Sequence, residues 1–365
     1  MVKSKLKIIN NTRLISKLSF IIIINIEIFY LFYFRTISSN KIGVVCVRHE
    51  VNIGNNLLKY AISVKLKELG YIPYIIGTVW SDYNNIDFIN KTTNLIIIKK
   101  NFSEIKPNDY NILMVNSDQT WFKFDNNFYD YGFLKFAENW KIPRFIYGAS
   151  FLQDFWPFSP EDEEIAKNLL KKFSGISVRE KDSVKLIKKH LGITPEFVLD
   201  PTQLIDKQYY LDLIKDYKGN KTMNENYIFV YQIGNYKYIT DLMEIASKKF
   251  NFEIYYLPLN NGSLVQNFLY YLINSKAVIT NSFHGTIFSI IFNKPFISIY
   301  KNGTKNRFNS LAYLFNISER LHMFGQKPNY NLLIKPLNIK YELLNKYRQI
   351  SINFLKTNLN KTSFI

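Results

Sequence analysis

Cysteine is almost missing: Cys46 is the single one in 365 residues, which excludes an internal disulfide framework and any multi-cysteine zinc or iron–sulfur site. Glycine is scarce too, with 14 residues where average usage gives about 25. No two glycines stand in a GxG spacing and none precedes a lysine. The dinucleotide fingerprint and the phosphate-binding P-loop are therefore both excluded. HExxH, GxSxG and a DxD pair are also lacking, so no zinc-protease helix, no nucleophile elbow and no acidic metal pair of sugar-nucleotide transferases is on offer. Acidic side chains are outnumbered, 29 against 47 Lys and Arg, for a formal net charge of +18. Such a field favours anionic partners. The basic residues are dispersed along the chain, apart from one N-terminal cluster, so nucleic acid is not an expected partner. What is abundant is apolar surface: 47% of the residues are hydrophobic, enough for a sizeable core in two to three domains.

Residues 1–17 carry Lys3, Lys5, Lys7, Arg13 and Lys17 and no acid, and residues 18–34 then form an apolar run broken by Asn25 and Glu27. Its Leu, Ile and Phe residues favour insertion by roughly 5 kcal/mol, against about 3 kcal/mol for a central Glu and a further penalty for Asn. Insertion is thus close to break-even. The run serves as a signal anchor, as an interfacial anchor, or stands upstream of the true start; the expected location is the cytoplasm, with residues 18–34 as a candidate attachment to an anionic membrane surface on the inner face, or as a single-pass anchor.

From Lys41 onward, short β-rich runs alternate with helical patterns. Strands are expected at 41–47, 71–76, 94–100, 111–116, 144–150, 175–179 and 196–200, with helices at 54–69, 160–173 and 180–191. A polar stretch, 206–226, reads as a connection. The alternation restarts with strands at 226–234, 252–259, 277–282 and 295–300, helices at 236–250, 264–274 and 284–292, and a closing helix near 338–358. This order predicts an α/β protein of two doubly wound Rossmann-like domains facing across a cleft. The expected division is 1–40 as a basic and hydrophobic N-terminus, 41–205 as the first domain, 206–226 as linker, 227–335 as the second domain, and 336–365 as helix and tail.

Ligands of such domains collect beyond the C-terminal ends of the strands. Four segments there carry chemistry. Asn52, Gly54 and Asn55 follow the first strand and read equally as a ligand-binding turn or an ordinary capped helix start. Ser117, Asp118, Gln119 and Trp121 follow the strand at 111–116; they offer hydrogen bonds and a stacking face for a sugar, or a capped helix. Ser282, His284, Gly285 and Thr286 put a titratable group at a helix N-terminus, where the dipole attracts phosphate. Arg179 ends a strand as a fork for phosphate or carboxylate, or pairs with Glu180 or a neighbouring acid. Arg307 is a second cationic candidate. His190, late in a lysine-rich helix, is expected to face solvent; His322 has no supporting constellation and His49 is intermediate.

Taken in order, NIGNNLLKYA (52–61), NSDQTW (116–121), YGASF (147–151), ISVREKDSVKLIKKHLGI (176–193), VLDPT (198–202), VITNSFHGTIFSIIFNKPFISI (278–299) and KNRFNSLAYLF (305–315) resemble the polysaccharide pyruvyl transferase family. Asn116 departs from it, since the family more often has Gly there. The resemblance implies a GT-B-like fold and transfer of a pyruvyl group from phosphoenolpyruvate to two hydroxyls of a sugar or lipid-linked oligosaccharide. Fitted to that reaction, His284 is expected as general acid–base and Arg179 as catalytic, with Ser282, Gly285, Thr286 and Arg307 on the donor and Asn52, Gly54, Asn55, Ser117, Asp118, Gln119 and Trp121 on the acceptor. Phosphoenolpyruvate is then a co-substrate, with no metal and no other cofactor expected. A nucleotide-sugar glycosyltransferase of the same fold and a non-catalytic anion-binding membrane-associated protein are the alternatives.

Overall fold

The structure, a computed structural model, describes residues 40–47, 52–78, 86–98, 102–123, 125, 127–234, 236–257 and 265–361. The run at 18–34 and His49 lie outside the described residues. No helix among the described residues is long and apolar enough to cross a membrane.

The first sheet contains β1 (Lys41–Val45), β2 (Ile72–Thr78), β3 (Asn94–Ile98), β4 (Ile112–Val115), β5 (Arg144–Ala149), β6 (Gly175–Val178) and β7 (Glu196–Phe197) in the order β3-β2-β1-β4-β5-β6-β7. Its helices include α1 (Ile53–Glu68), α2 (Ile86–Thr92), α3 (Phe128–Phe133), α4 (Pro160–Leu170) and α5 (Ser183–Leu191); the short α6 (Lys207–Asp212) follows. The second sheet contains β8 (Tyr227–Tyr231), β9 (Glu253–Leu257), β10 (Ala277–Thr280), β11 (Phe296–Tyr300) and β12 (Leu321–Met323) in the order β12-β11-β10-β8-β9. With it come α7 (Lys237–Phe250), α8 (Val265–Asn274), α9 (Phe283–Ile291), α10 (Lys305–Phe315) and a closing α11 (Glu342–Leu359). Pairing is parallel in both sheets. That accounts for strands such as ILMV, YIFVY and AVIT, which are apolar at every position because helices cover both faces.

Three departures from the sequence reading have physical causes. The strand expected at 196–200 pairs only at Glu196–Phe197, because the chain turns at Asp200, whose buried side chain caps a 3₁₀ turn at Pro201–Gln203. Proline at the next position cannot donate to a ladder and fits the first position of a helical turn. The polar stretch 206–226 holds α6, whose Tyr210 is fully buried and donates to the Thr202 carbonyl at 2.8 Å. Strand β12, too short to show a period in the sequence, extends the second sheet.

The two sheets share one apolar core. Tyr60 of α1, Tyr210 and Phe288 of α9 follow one another in ring contact at 6.3 and 4.9 Å, and Phe288 meets Phe268 of α8 at 5.5 Å. This aromatic line joins the halves at their strand ends. Helix α11 then returns to the first sheet: Phe354 packs on Phe145 and Tyr147, each at 6.2 Å, and Asn358 accepts from the Ser174 hydroxyl at 2.8 Å. Ser351 Oγ accepts from the Leu199 N–H at 2.9 Å, fixing the backbone one residue before Asp200. Replacing Ser351→Ala removes that acceptor from a buried N–H. The expected loss is about 1–3 kcal/mol of unfolding free energy, read as a lower urea midpoint at unchanged slope.

Candidate functional site

The strand ends of both sheets meet at a cavity of about 330 Å³. The first sheet contributes Asn52 ahead of α1 and Asp118 and Gln119 beyond β4; the second contributes Ser282, Phe283 and His284 beyond β10, Tyr300 and Lys301 at the end of β11, and Arg307 from α10. This is the crevice that doubly wound folds reserve for ligands.

Beneath it lies a buried ion cluster. Arg179, just past β6, has a side chain with no exposed surface and donates Nη2 to Asp118 at 2.9 Å, Nη1 to Asp200 at 2.7 Å and Nε to Glu180 at 3.3 Å. Burial by itself would lower its pKa, but the surrounding carboxylates Asp118, Asp200 and Glu180 outweigh burial and raise it, so the guanidinium stays charged. The pairing with neighbouring acids that the sequence left open is thus realised, and Arg179 is corrected from a ligand-facing fork to the holder of three carboxylates. Asp118 pays for its place with a backbone φ of 95°, a left-handed conformation uncommon for a side-chain-bearing residue. Its second oxygen accepts from Asn55 Nδ2 at 2.6 Å.

His284 stands in the first turn of α9, whose N-cap is Ser282. Its Nε2 is buried, has no hydrogen-bond partner, and lies 3.7 Å from Asp200 Oδ2. Burial would raise the Asp200 pKa; the imidazole, Arg179 and the Thr202 hydroxyl together hold it well below the usual carboxylate range. The other side of the imidazole rests on Gly54: a Cβ there would overlap the ring. Gly54 is therefore a spacer that admits His284, and does not line the cavity as an acceptor ligand.

Arg307 differs from Arg179. Among the described residues no carboxylate lies within ion-pair distance of it, and its Nε is buried without a partner. Burial and the charge of Arg179 push its pKa down to about 10, so it remains a cation at neutral pH. Both guanidiniums stand over the same Phe283 ring, Arg179 at 5.0 Å and Arg307 at 5.5 Å, so two like charges share one aromatic surface. Glu180, buried between them in charge terms, has a pKa raised by burial against the pull of Arg179 and Arg307.

Several candidates lie off the cavity. Trp121 is fully buried, stacks on Phe133 at 5.4 Å and donates Nε1 to the Gly132 carbonyl, so it presents no face to a sugar. Ser117 donates to the Gly148 carbonyl at 2.8 Å within the sheet. Gly285 gives its N–H to Ser282 Oγ and packs on Thr280, and the Thr286 hydroxyl is shared between the Ser282 carbonyl and Ser298. Those two hold the start of α9 in shape. Asn55 is buried and acts through Asp118. His190 does not simply face solvent: it stacks on Trp156 at 4.4 Å and meets Glu163 at 3.2 Å. The sequence reading missed Asp200, Phe283, Tyr236, Lys301 and Phe324. Only Asp200 left a signal, an acid followed by Pro-Thr at a strand end.

A profile of the family described as polysaccharide pyruvyl transferase matches residues 52–302, about two thirds of the chain. No curated protein sequence matches. Among solved structures, the UDP-GlcNAc 2-epimerase from Methanocaldococcus jannaschii is similar at TM-score 0.52 and 13% identity, over 87% of this chain and 99% of that one. The UDP-GlcNAc 2-epimerase from Neisseria meningitidis bound to UDP-GlcNAc gives 0.51 and 13%, over 87% and 100%. Arabidopsis thaliana UGT89C1 complexed with UDP-L-rhamnose gives 0.50 and 9%, over 88% and 97%. These likenesses show the GT-B-like arrangement of two Rossmann-type halves. With SDQTW supplying Asp118, SVRE supplying Arg179 and SFHGT supplying His284 within one matched span, the chain belongs to the polysaccharide pyruvyl transferase family.

Proposed function

We propose that the protein moves the pyruvyl group of phosphoenolpyruvate to two hydroxyls of a sugar or lipid-linked oligosaccharide, releasing phosphate and leaving a cyclic ketal. The observation that carries this reading is the unequal state of the two arginines. Arg179, beneath the cavity, is neutralised by three carboxylates, whereas Arg307 lines the cavity with no carboxylate in ion-pair reach among the described residues. An anion is what Arg307 lacks. The N-terminus of α9 adds its partial positive charge beside it, which suits a phosphate.

The chemistry follows from the placement of the groups. His284, with Nε2 3.7 Å from Asp200 Oδ2, gives a proton to the terminal CH₂ carbon of the enol. The first sugar hydroxyl bonds to the adjacent carbon as the double-bond electrons take up that proton, and its own proton recharges the imidazole. The second hydroxyl then bonds to the same carbon, the carbon–oxygen bond to phosphate breaks with its electrons on the phosphate, and the hydroxyl proton leaves with it. Arg307 balances the phosphate charge as it builds up. Asn52, Asp118 and Gln119 orient the acceptor hydroxyls, with Asn55 and Arg179 holding Asp118.

Four outcomes are expected. At about a hundred times its Kd, phosphoenolpyruvate stabilises the protein by about 2.7 kcal/mol, seen as a raised melting temperature. Arg307→Gln keeps the unliganded melting temperature and loses that rise. Arg179→Ala leaves three buried carboxylates uncompensated and lowers unfolding free energy itself by about 3–5 kcal/mol, before any ligand is added. His284→Ala folds, still responds to phosphoenolpyruvate, and loses about 10²–10⁴ in kcat measured by phosphate release. A wild-type protein that is stabilised by a nucleotide sugar and is indifferent to phosphoenolpyruvate would overturn the reading.

A further inference from the structure

The cavity lies at the lower end of the range of about 300–1,000 Å³ typical of small-ligand pockets, at about 330 Å³. It accommodates the reacting pieces, and the rest of an oligosaccharide must lie on its rim. On the rim of the second half is Phe324, which lines the cavity while 43% of its surface stays open to solvent. An exposed phenyl ring is ordinarily a mobile surface residue, and this one is fixed. Its N–H donates to the Tyr300 carbonyl at 2.8 Å, and Gly325 at φ 90° turns the chain immediately after it. The turn is closed by Gln326, whose N–H donates to the Met323 carbonyl at 2.9 Å and whose Oε1 accepts from the Met323 N–H at 2.9 Å. The Tyr238 hydroxyl donates to the Gln326 carbonyl.

The ring itself is propped from two sides. Tyr238 meets it at 4.8 Å and Tyr236 at 5.9 Å, the latter edge-on at 70°. Tyr236 is wedged in turn: a Cβ at Gly234 would stand 2.8 Å from its Cε2, and Lys301 Nζ sits 4.3 Å from its ring centroid and reaches its hydroxyl. The result is a rigid aromatic surface beside an ammonium and a phenol, continuous with the catalytic cavity. That chemistry is one of apolar C–H faces laid on an aromatic ring with polar groups at the edge.

A nucleobase fits it less well. Reading the edge of a base takes free backbone donors and acceptors beside the stacking ring. Here the neighbouring pair on Ile233 is already filled by one side chain: its N–H donates to Asn281 Oδ1 at 2.7 Å and its carbonyl accepts from Asn281 Nδ2 at 2.9 Å.

We infer that Phe324, with Tyr236 and Lys301 at its edge, forms a subsite for a second sugar unit, adjoining the one that enters the cavity; this rests on the reading that the acceptor is a saccharide. The test is a calorimetric titration, without phosphoenolpyruvate, of galactose, glucose, mannose and N-acetylglucosamine and of the di- and trisaccharides built from each, against the full chain. For at least one series the trisaccharide is expected to bind about tenfold more tightly than its monosaccharide. That advantage falls to near unity in Phe324→Ala and returns in Phe324→Tyr, with melting temperatures matching the wild type. A length advantage that persists in Phe324→Ala, no length advantage in the wild type, or UDP binding that Phe324→Ala abolishes would each overturn the subsite. Because no donor is present, a failure of pyruvyl transfer leaves this result intact, and a failure here leaves the transfer reading intact.

Discussion

A guanidinium sealed from water must be neutralised where it stands, and the way Arg179 is neutralised sets the geometry of the whole site. Its three partners come from three separate strand ends: Asp118 after β4, Glu180 after β6, and Asp200 after β7. One cation thus ties the C-terminal edge of the first sheet into a single charged layer. Two of those acids have second duties. Asp118 faces the cavity, and Asp200 faces His284 across the divide between the sheets. A buried arginine thus fixes both the floor of the crevice and the carboxylate beside its imidazole.

The second half is positioned by packing more than by charge. The line of Tyr60, Tyr210 and Phe288 holds α9 against α1, close enough that only a glycine fits opposite the imidazole. Phe283 then separates the two arginines in function: each lies over the same ring, yet only Arg307 is free of carboxylate partners among the described residues. Burial depresses the Arg307 pKa without discharging it. A buried cation with Glu180 and Asp118 near it but neither in ion-pair contact is a good receptor for an anion.

Much of this was legible in the chain. Strands that are apolar at every position, separated by amphipathic segments, specify parallel sheets covered on both faces, and the turns after them specify where ligands gather. SDQTW, SVRE and SFHGT marked Asp118, Arg179 and His284 because all three stand just beyond strand ends. Direction was not legible. Nothing local told Trp121 to turn into the aromatic core, or Arg179 to face its own sheet's acids and leave the cavity to Arg307. The ring that Trp121 stacks on, Phe133, lies on the next helix, and Arg179 meets Asp118 from 61 positions away, where Asn55 converges as well. The rim residues Tyr236, Lys301 and Phe324 left no sequence signal, since they are joined by β12, three residues long, and a turn closed by side chains.

The account stands on the claim that the anion opposite Arg307 is the phosphate of phosphoenolpyruvate. Incubating the protein with phosphoenolpyruvate and an oligosaccharide while following phosphate release and the proton spectrum tests it most directly. The account predicts phosphate released only when acceptor is present, matched one for one by the methyl signal of a new ketal. Acceptor-dependent turnover of a nucleotide sugar, with phosphoenolpyruvate left intact, would contradict it.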